Sequence, residues 1–137
     1  MIILDTNVVS ETMRPEPAAA VVEFLDRLDA DDVYLTALSV AEIRFGLLRL
    51  PAGQRRDILT HAADALIAHE FAGRALPFDV TAAEEYGQLT AQRQASGRPL
   101  PVIDAMIASI CVIHDATLVT RNTKDFEGLG LSLINPW

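Results

Sequence analysis

The sequence begins MIILDTNVVSE (residues 1–11), and this stretch decides the fold. Four apolar residues run directly into Asp5, which is typical of a short strand buried on both faces in a parallel sheet. The side chains of Asp5, Thr6 and Asn7 favour a turn because they bond to nearby backbone, so we expect the strand to end there. Open α/β sheets bind ligands at the carboxyl ends of their strands, and we therefore interpret Asp5 as the anchor of a site.

The composition predicts one globular domain, residues 1–137, because half of the residues are hydrophobic. The single cysteine, Cys111, excludes an internal disulfide and lies in an apolar run, so we interpret it as a buried small hydrophobe. The apolar run before Asp5 is too short for a signal peptide, and no run is long enough to span a membrane. We therefore expect a cytoplasmic protein without a membrane partner.

The net charge of −8 has the wrong sign for a protein that holds nucleic acid by bulk electrostatics. Two interpretations stay open. Either the ligand is not nucleic acid, or a metal ion or a basic partner locally reverses the field.

Short apolar stretches alternate with longer helical patterns along the chain. Strands are predicted at residues 1–4, 33–36, 117–120 and 131–134, with an edge strand or a connection at 76–78. The segment from Val102 to His114 is apolar nearly all round, which indicates a buried central helix. Strands separated by helices predict right-handed crossovers. The expected fold is therefore a three-layer α/β/α domain with a mainly parallel central sheet.

Two patterns of Ser or Thr followed three residues later by Glu predict helix starts. Ser39 with Glu42, and Thr81 with Glu84, have the form of capping boxes. This gives Glu42 a structural interpretation, in which its carboxylate reaches back to the backbone at residue 39.

Four acids are placed where the predicted topology brings strand ends together: Asp5, Glu42, Asp104 and Asp125, with Asn122 three residues before the last. Glu42 and Asp104 also have structural explanations, in the capping box and in the helix dipole. Asp5 is harder to explain in that way, because a carboxylate buried without a partner costs several kcal/mol.

Carboxylates crowded at one edge repel and raise one another's pKa values, and a divalent cation removes that conflict. Mg²⁺ or Mn²⁺ prefers carboxylate and water oxygens. Zinc is not favoured, since His61 and His69 have no ligand partners at suitable spacing and are interpreted as solvent-facing. Such a site serves phosphoryl chemistry, so the pattern predicts a metal-dependent phosphoester enzyme.

Four ordered segments resemble a known family: LDTN at 4–7, AE at 41–42, IDAMIA at 103–108 and TRNTKDF at 120–126. They are similar to the motifs of PIN-domain ribonucleases, and in particular to small bacterial toxins of the VapC and FitB type. The opening ILDTNVVSE and the closing NPW resemble the FitB-like branch. The resemblance covers essentially the whole chain.

The resemblance implies a PIN-like α/β/α fold and a Mg²⁺- or Mn²⁺-dependent endoribonuclease. It implies the toxin of a type II toxin–antitoxin system, which acts on RNA and is held inactive by a cognate antitoxin. It also implies a homodimer that reaches operator DNA only through the antitoxin.

Residue by residue, Asp5, Glu42 and Asp104 match the family's three firmest acidic positions. The fourth is open, because many members carry an acid where this chain has Asn122, while others share its TRN and DF residues. Either Asp125 supplies the fourth carboxylate or Asn122 is a neutral ligand.

In the implied mechanism, Asp5 and Asp104 hold the metal, and Glu42 is a ligand or the general base for the attacking water. Thr6, Asn7 and Thr120 are small polar residues beside the site. Arg121 either contacts the RNA backbone or forms a structural ion pair.

Two other classes fit part of the pattern. A HAD-like phosphatase also places its nucleophile after an N-terminal apolar strand, but it usually carries a second acid where this chain has Asn7. A non-catalytic receiver-like module places its phosphoacceptor on a later strand with a lysine near the end, which Lys124 matches only loosely.

Overall fold

The apolar N-terminal run forms the central strand of a five-stranded parallel sheet. In a computed structural model that describes residues 1–137, the strands are β1 (Ile2–Leu4), β2 (Val33–Thr36), β3 (Ala75–Leu76), β4 (Thr117–Val119) and β5 (Ser132–Ile134). Their spatial order is β3-β2-β1-β4-β5. The register places Ile2 opposite both Val33 and Thr117. The sequence predicted four of these strands and left residues 76–78 open between an edge strand and a connection; β3 is an edge strand.

Seven helices connect and flank the strands. They are α1 (Thr6–Thr12), α2 (Ala19–Leu25), α3 (Ala37–Arg49), α4 (Gln54–Ala65), α5 (Val80–Ala95), α6 (Val102–Ile113) and α7 (Thr123–Phe126). A 3₁₀ turn at Ala30–Asp32 precedes β2, and a π-helical turn at Leu66–Glu70 extends α4. The three-layer α/β/α prediction is confirmed.

The sheet separates two apolar cores, because successive side chains of a strand point to opposite faces. Ile3 and Leu118 lie in the core that contains α5 and α6, whereas Leu4 and Val119 lie in the core under α1 to α4. Helix α6 is the buried central helix that its composition predicted, with six buried residues. Burial of these side chains supplies the main favourable free energy of folding.

Both predicted capping boxes are wrong, because each helix begins earlier on a different cap. The Thr36 hydroxyl accepts a hydrogen bond from the Ser39 amide at 3.0 Å at the start of α3. The Asp79 carboxylate accepts one from the Ala82 amide at 2.9 Å at the start of α5. Glu42 therefore lies further along α3 than a capping residue, and its carboxylate is free for other contacts.

Two elements lie near the surface. The segment after β4 contains α7, which the buried side chain of Phe126 anchors in the core. Helix α4 buries only Ala63 fully, and Ile58 is 59% exposed. No helix has the length and apolar character that crossing a membrane requires.

Candidate functional site

The candidate site lies at the carboxyl ends of the central strands β1 and β4. Asp5 directly follows β1, and its backbone amide donates to the Val119 carbonyl at 2.9 Å, which continues the ladder between the two strands. Asp5 is also the N-cap residue of α1. The chain therefore fixes the Asp5 backbone on both sides, between a buried strand and the first turn of a helix.

Three neutral groups hold the Asp5 carboxylate. Oδ1 accepts from the Thr6 amide at 2.8 Å, and Oδ2 accepts from the Thr120 hydroxyl at 2.6 Å and from the Asn7 side-chain amide at 2.5 Å. Asp5 is 6% exposed and forms no ion pair. Burial raises the pKa of Asp5 above its ordinary value, although these three hydrogen bonds oppose the shift.

Thr6 connects Asp5 to Glu42. While its amide donates to Asp5, its hydroxyl donates to Glu42 Oε2 at 2.5 Å. Oε1 of Glu42 accepts no hydrogen bond from the protein. The three residues thus form one connected polar unit, and one oxygen of Glu42 remains available to a ligand or a proton.

Asp104 lies in the first turn of α6, as the sequence predicted, and is half-buried. Its pKa is raised from 3.8 to about 6, first by burial and then by the negative charges of Asp5, Glu42 and Asp125. The structure therefore brings Asp5, Glu42 and Asp125 within electrostatic reach of Asp104. They form the carboxylate cluster, defined as Asp5, Glu42, Asp104 and Asp125.

The segment after β4 presents the two candidates for the fourth position differently. The Asn122 amide donates to the Thr120 hydroxyl at 3.1 Å, while its exposed side chain makes no hydrogen bond. Asp125 is exposed in α7, and its charge acts on Asp104. Asn122 therefore supports the site through its backbone, and Asp125 adds charge to it.

Arg121 is exposed beside the site, and its guanidinium carbon lies 5.2 Å from the centre of the Trp137 ring. Its backbone amide donates to Asn7 Oδ1 at 3.2 Å, and its carbonyl accepts from the Asn135 side chain at 3.4 Å. It forms no ion pair, so the structural alternative for Arg121 is stacking on the C-terminal tryptophan.

Two buried charged residues were not predicted. Glu11 accepts from the Ala18 amide at 2.8 Å and from the Arg14 guanidinium at 3.2 Å, and chiefly the first of these lowers its pKa. Arg93 is buried at the end of α5. The Arg93 side chain bonds only to backbone carbonyls, and Glu11 bonds to one backbone amide and to Arg14; backbone partners carry no signal in the sequence.

The other predicted roles of single residues are as expected. Cys111 is fully buried, and burial raises the pKa of its thiol to about 12. His61 and His69 are exposed. None of these three residues belongs to the site.

The carboxylate cluster does not form a ready-made metal cage, because no three His, Cys, Asp or Glu side chains converge closely enough to enclose an ion. Its chemistry nevertheless fits a hard cation. Mg²⁺ commonly uses one or two carboxylates and keeps several water molecules. The pKa of Asp104 is raised first by burial and then by three negative charges, and such an ion would neutralise those charges.

A groove of about 970 Å³ opens beside Glu42, between α1, α3 and α4. Apolar side chains that include Ile43, Leu47 and Leu59 line it. Arg14 and Arg55 are exposed and also line this groove, which gives its rim positive charge.

Comparisons with known proteins give a consistent result. The PIN domain family matches residues 2–130. The chain is 44% identical to the VapC ribonuclease Y4jK of Sinorhizobium fredii, over 100% of this chain and 98% of that protein. It is 40% identical to the toxin FitB of Neisseria gonorrhoeae, over 100% of this chain and 99% of that protein. The structure of FitAB bound to an IR36 DNA fragment contains a chain that matches with a TM-score of 0.94 and 40% identity, covering 100% of this chain and 96% of that one.

The parallel sheet and its acidic carboxyl edge define the class, and the chain belongs to the PIN-domain family. Within the family it is of the VapC and FitB type. The resemblance seen in the sequence is confirmed, and the HAD-like and receiver-like alternatives have no support.

Proposed function

We propose that this chain is the toxin of a type II toxin–antitoxin pair, and that it is an endoribonuclease dependent on Mg²⁺ or Mn²⁺. The observation that carries the proposal is the polar unit of Asp5, Thr6 and Glu42 at the carboxyl ends of β1 and β4, with Asp104 near it in the first turn of α6. Unpaired carboxylates at a ligand-binding sheet edge destabilise the fold, and their presence is accounted for by a function that needs a cation. The relatives named as VapC ribonuclease and FitB toxin support this activity.

Asp5 and Asp104 would hold the cation, which when bound neutralises charge on the phosphate and lowers the pKa of water. The hydrogen bonds to Asp5 leave its Oδ1 with one protein donor and Oδ2 with two. A carboxylate has about four acceptor sites, so one on Oδ1 remains for a metal. Asp125 or Asn122 would complete the set from the segment after β4.

Glu42 is placed to act either as a further ligand or as the general base. Thr6 fixes Oε2, so the free Oε1 would take a proton from the attacking water. The water oxygen would form the new bond to phosphorus while the bond from phosphorus to the 3′ oxygen breaks, and the leaving 3′ oxygen would take a proton from solvent. The products would be a 5′-phosphate and a 3′-hydroxyl. Arg121 would contact the RNA backbone.

The groove beside Glu42 supports an antitoxin partner. Its apolar lining suits the apolar face of a helix, and Glu42, which also lines the groove, suits a basic residue on the same partner. With a net charge of −8, the chain is poorly suited to hold operator DNA alone, so DNA binding would run through the antitoxin.

We also propose a homodimer, in agreement with the family. Several large apolar side chains remain exposed, namely Phe45, Leu48, Val80 and Val102. Light scattering of the purified protein checks the dimer, and a monomer at micromolar concentration would contradict it.

Sequencing of RNA ends after controlled expression tests the activity and finds the target at the same time. We expect the wild-type protein to produce new 5′-phosphate ends and Asp5→Asn and Asp104→Asn to produce none. Asp26→Asn is the matched control, because Asp26 is exposed at the end of α2, away from the cluster.

A purified-component assay separates the metal requirement from the cellular background. We expect cleavage with Mn²⁺ or Mg²⁺, none with EDTA, and inhibition when the antitoxin is added. Full metal-dependent cleavage by Asp5→Asn or Asp104→Asn would overturn the assignment.

A further inference from the structure

We propose that Arg93 is a positioning residue for the candidate site, which clamps the segment Asn122–Glu127 so that Asp125 lies near the other three carboxylates, Asp5, Glu42 and Asp104. The inference rests on the proposed metal-dependent function, and it adds a residue that lies outside the four sequence motifs. Arg93 touches none of the carboxylates through its side chain, so its effect on the site would pass entirely through backbone geometry.

The Arg93 guanidinium is buried and donates to three backbone carbonyls. Nε donates to the Arg98 carbonyl at 2.7 Å, one terminal nitrogen to Glu127 at 2.8 Å, and the other to Asp125 at 3.0 Å. The last two carbonyls lie on either side of the end of α7. A single side chain at the end of α5 therefore joins three points of two surface segments.

The geometry needs arginine in particular. Arg93 is 6% exposed and has no carboxylate partner, so its charge is compensated only by these carbonyl dipoles and by its position in the last turn of α5. A planar guanidinium supplies donors in a fixed fork, whereas a lysine ammonium is a point charge that cannot reach all three carbonyls. The clamp is therefore not replaceable by a positive charge alone.

The clamped segment carries both candidates for the fourth position of the site. The Asp125 amide donates to the Asn122 carbonyl at 3.0 Å, and the Asn122 amide donates to Thr120, which holds Asp5. Arg98 adds a longer hydrogen bond of 3.3 Å to the Lys124 carbonyl. If this segment moved, Asp125 would move with it, although all four carboxylates of the cluster would still be present.

Mn²⁺ affinity of the folded protein, measured by titration calorimetry, tests the inference directly. Loss of a residue that orients metal ligands typically weakens binding roughly 10- to 100-fold, and we expect a loss in this range for Arg93→Lys and Arg93→Gln. In the background of Asp125→Asn, Arg93→Lys should add little, because it acts through the same carboxylate. Equal effects of Arg93→Lys in both backgrounds would overturn the role of Arg93.

Arg74 offers a matched control. It also donates to two backbone carbonyls, Val33 at 3.0 Å and Glu70, but it lies at the opposite end of β2 from the carboxylate cluster. Arg74→Gln should lower the melting temperature as an Arg93 variant does and leave Mn²⁺ affinity unchanged. A similar loss of affinity in Arg74→Gln would mean that both clamps act only through general stability, and the inference would fail.

Native-state hydrogen exchange tests the clamp in the wild-type protein, without any substitution. We expect the amides of residues 122–127 and of residues 96–98 to open together, since one side chain holds both segments. Separate opening at different rates would overturn the clamp. A wild-type protein that binds no Mn²⁺ would overturn the proposed function together with this inference, whereas Mn²⁺ binding that is unchanged in the Arg93 variants would overturn the inference alone.

Discussion

The buried carboxylate of Asp5 lies beside the ends of β1 and β4. Only neutral groups donate hydrogen bonds to it. The Thr120 hydroxyl is central to this arrangement, because it donates to Asp5 and accepts from the amides of Asn7 and Asn122. One hydroxyl therefore couples β1, α1 and the segment after β4. At the scale of the residue, the site is organised by such shared donors rather than by ion pairs.

We expect Thr120→Val to lower the free energy of unfolding by roughly 1–3 kcal/mol, because it removes a donor to a buried carboxylate and an acceptor for two amides. Urea unfolding of the metal-free protein measures this loss. Thr90→Val is the matched control, since the buried Thr90 hydroxyl has no hydrogen-bond partner and its removal should be neutral or stabilising. Equal losses in the two variants would contradict the role given to Thr120.

The raised pKa of Asp104 predicts the direction in which the stability of the fold changes with pH. Its pKa is about 6 in the folded protein against an ordinary 3.8, so between these values the folded state keeps a proton that the unfolded state has lost. The contribution of Asp104 therefore favours folding at low pH and turns unfavourable as the pH rises through this window.

In EDTA, we expect Asp104→Asn to melt at a higher temperature than the wild type at pH 7 and to lose this advantage at pH 4. Thermal unfolding at the two pH values is the measurement. The advantage should also shrink at pH 7 when Mn²⁺ is added, because the proposed site would bind the cation more tightly in the wild type. A difference in melting temperature that does not depend on pH would rule out the raised pKa as its cause.

At the scale of the element, the beginnings of helices were harder to predict than the helices themselves. Thr36 and Asp79 have extended backbone conformations and cap α3 and α5 with their side chains. The sequence offered a Ser or Thr followed by Glu a few residues later at both places, and this pattern does not reveal which polar residue adopts the extended conformation. The earlier start of α3 is what releases Glu42 toward Thr6.

We expect Asp79→Ala to cost about 0.5–2 kcal/mol of stability, the usual range for loss of an N-cap. Thr81→Ala should change stability by less than about 0.5 kcal/mol, because the exposed Thr81 caps nothing. Chemical denaturation of the two variants compares them directly. A larger effect at Thr81 would restore the capping box that the sequence suggested.

At the scale of the whole molecule, the parallel sheet brings distant segments to one edge. Asp5 and Thr120 are 115 residues apart in sequence, and their side chains are 2.6 Å apart in the fold. The same sheet divides the core in two, so the site is fixed by packing on both of its faces. Asp5 is therefore held as rigidly as the central strand that presents it.

Cys111 reports on this rigidity because it belongs to α6 and lies fully buried in the core between α6, α5 and the sheet. We expect its labelling by a thiol reagent to be at least roughly a thousandfold slower than in the unfolded chain, since folding free energies of 5 kcal/mol or more suppress opening to that extent. The labelling rate should rise with urea with the slope of global unfolding. A rate that does not change with urea would indicate a local opening of α6 instead.

The sequence by itself determined the order of strands and helices, the buried nature of β1 and α6, and the identity of the four clustered acids. These features follow from local patterns of apolar residues and from a carboxylate placed at a strand end, which are readable along the chain. The motifs also sufficed to recognise the family. Only the tertiary structure decided how the acids are held, because their partners are far away in sequence or are backbone groups. Thr6 linking Asp5 to Glu42, Thr120 shared between strands and Arg93 clamping the Asp125 segment all depend on distances that exist only once the sheet has formed.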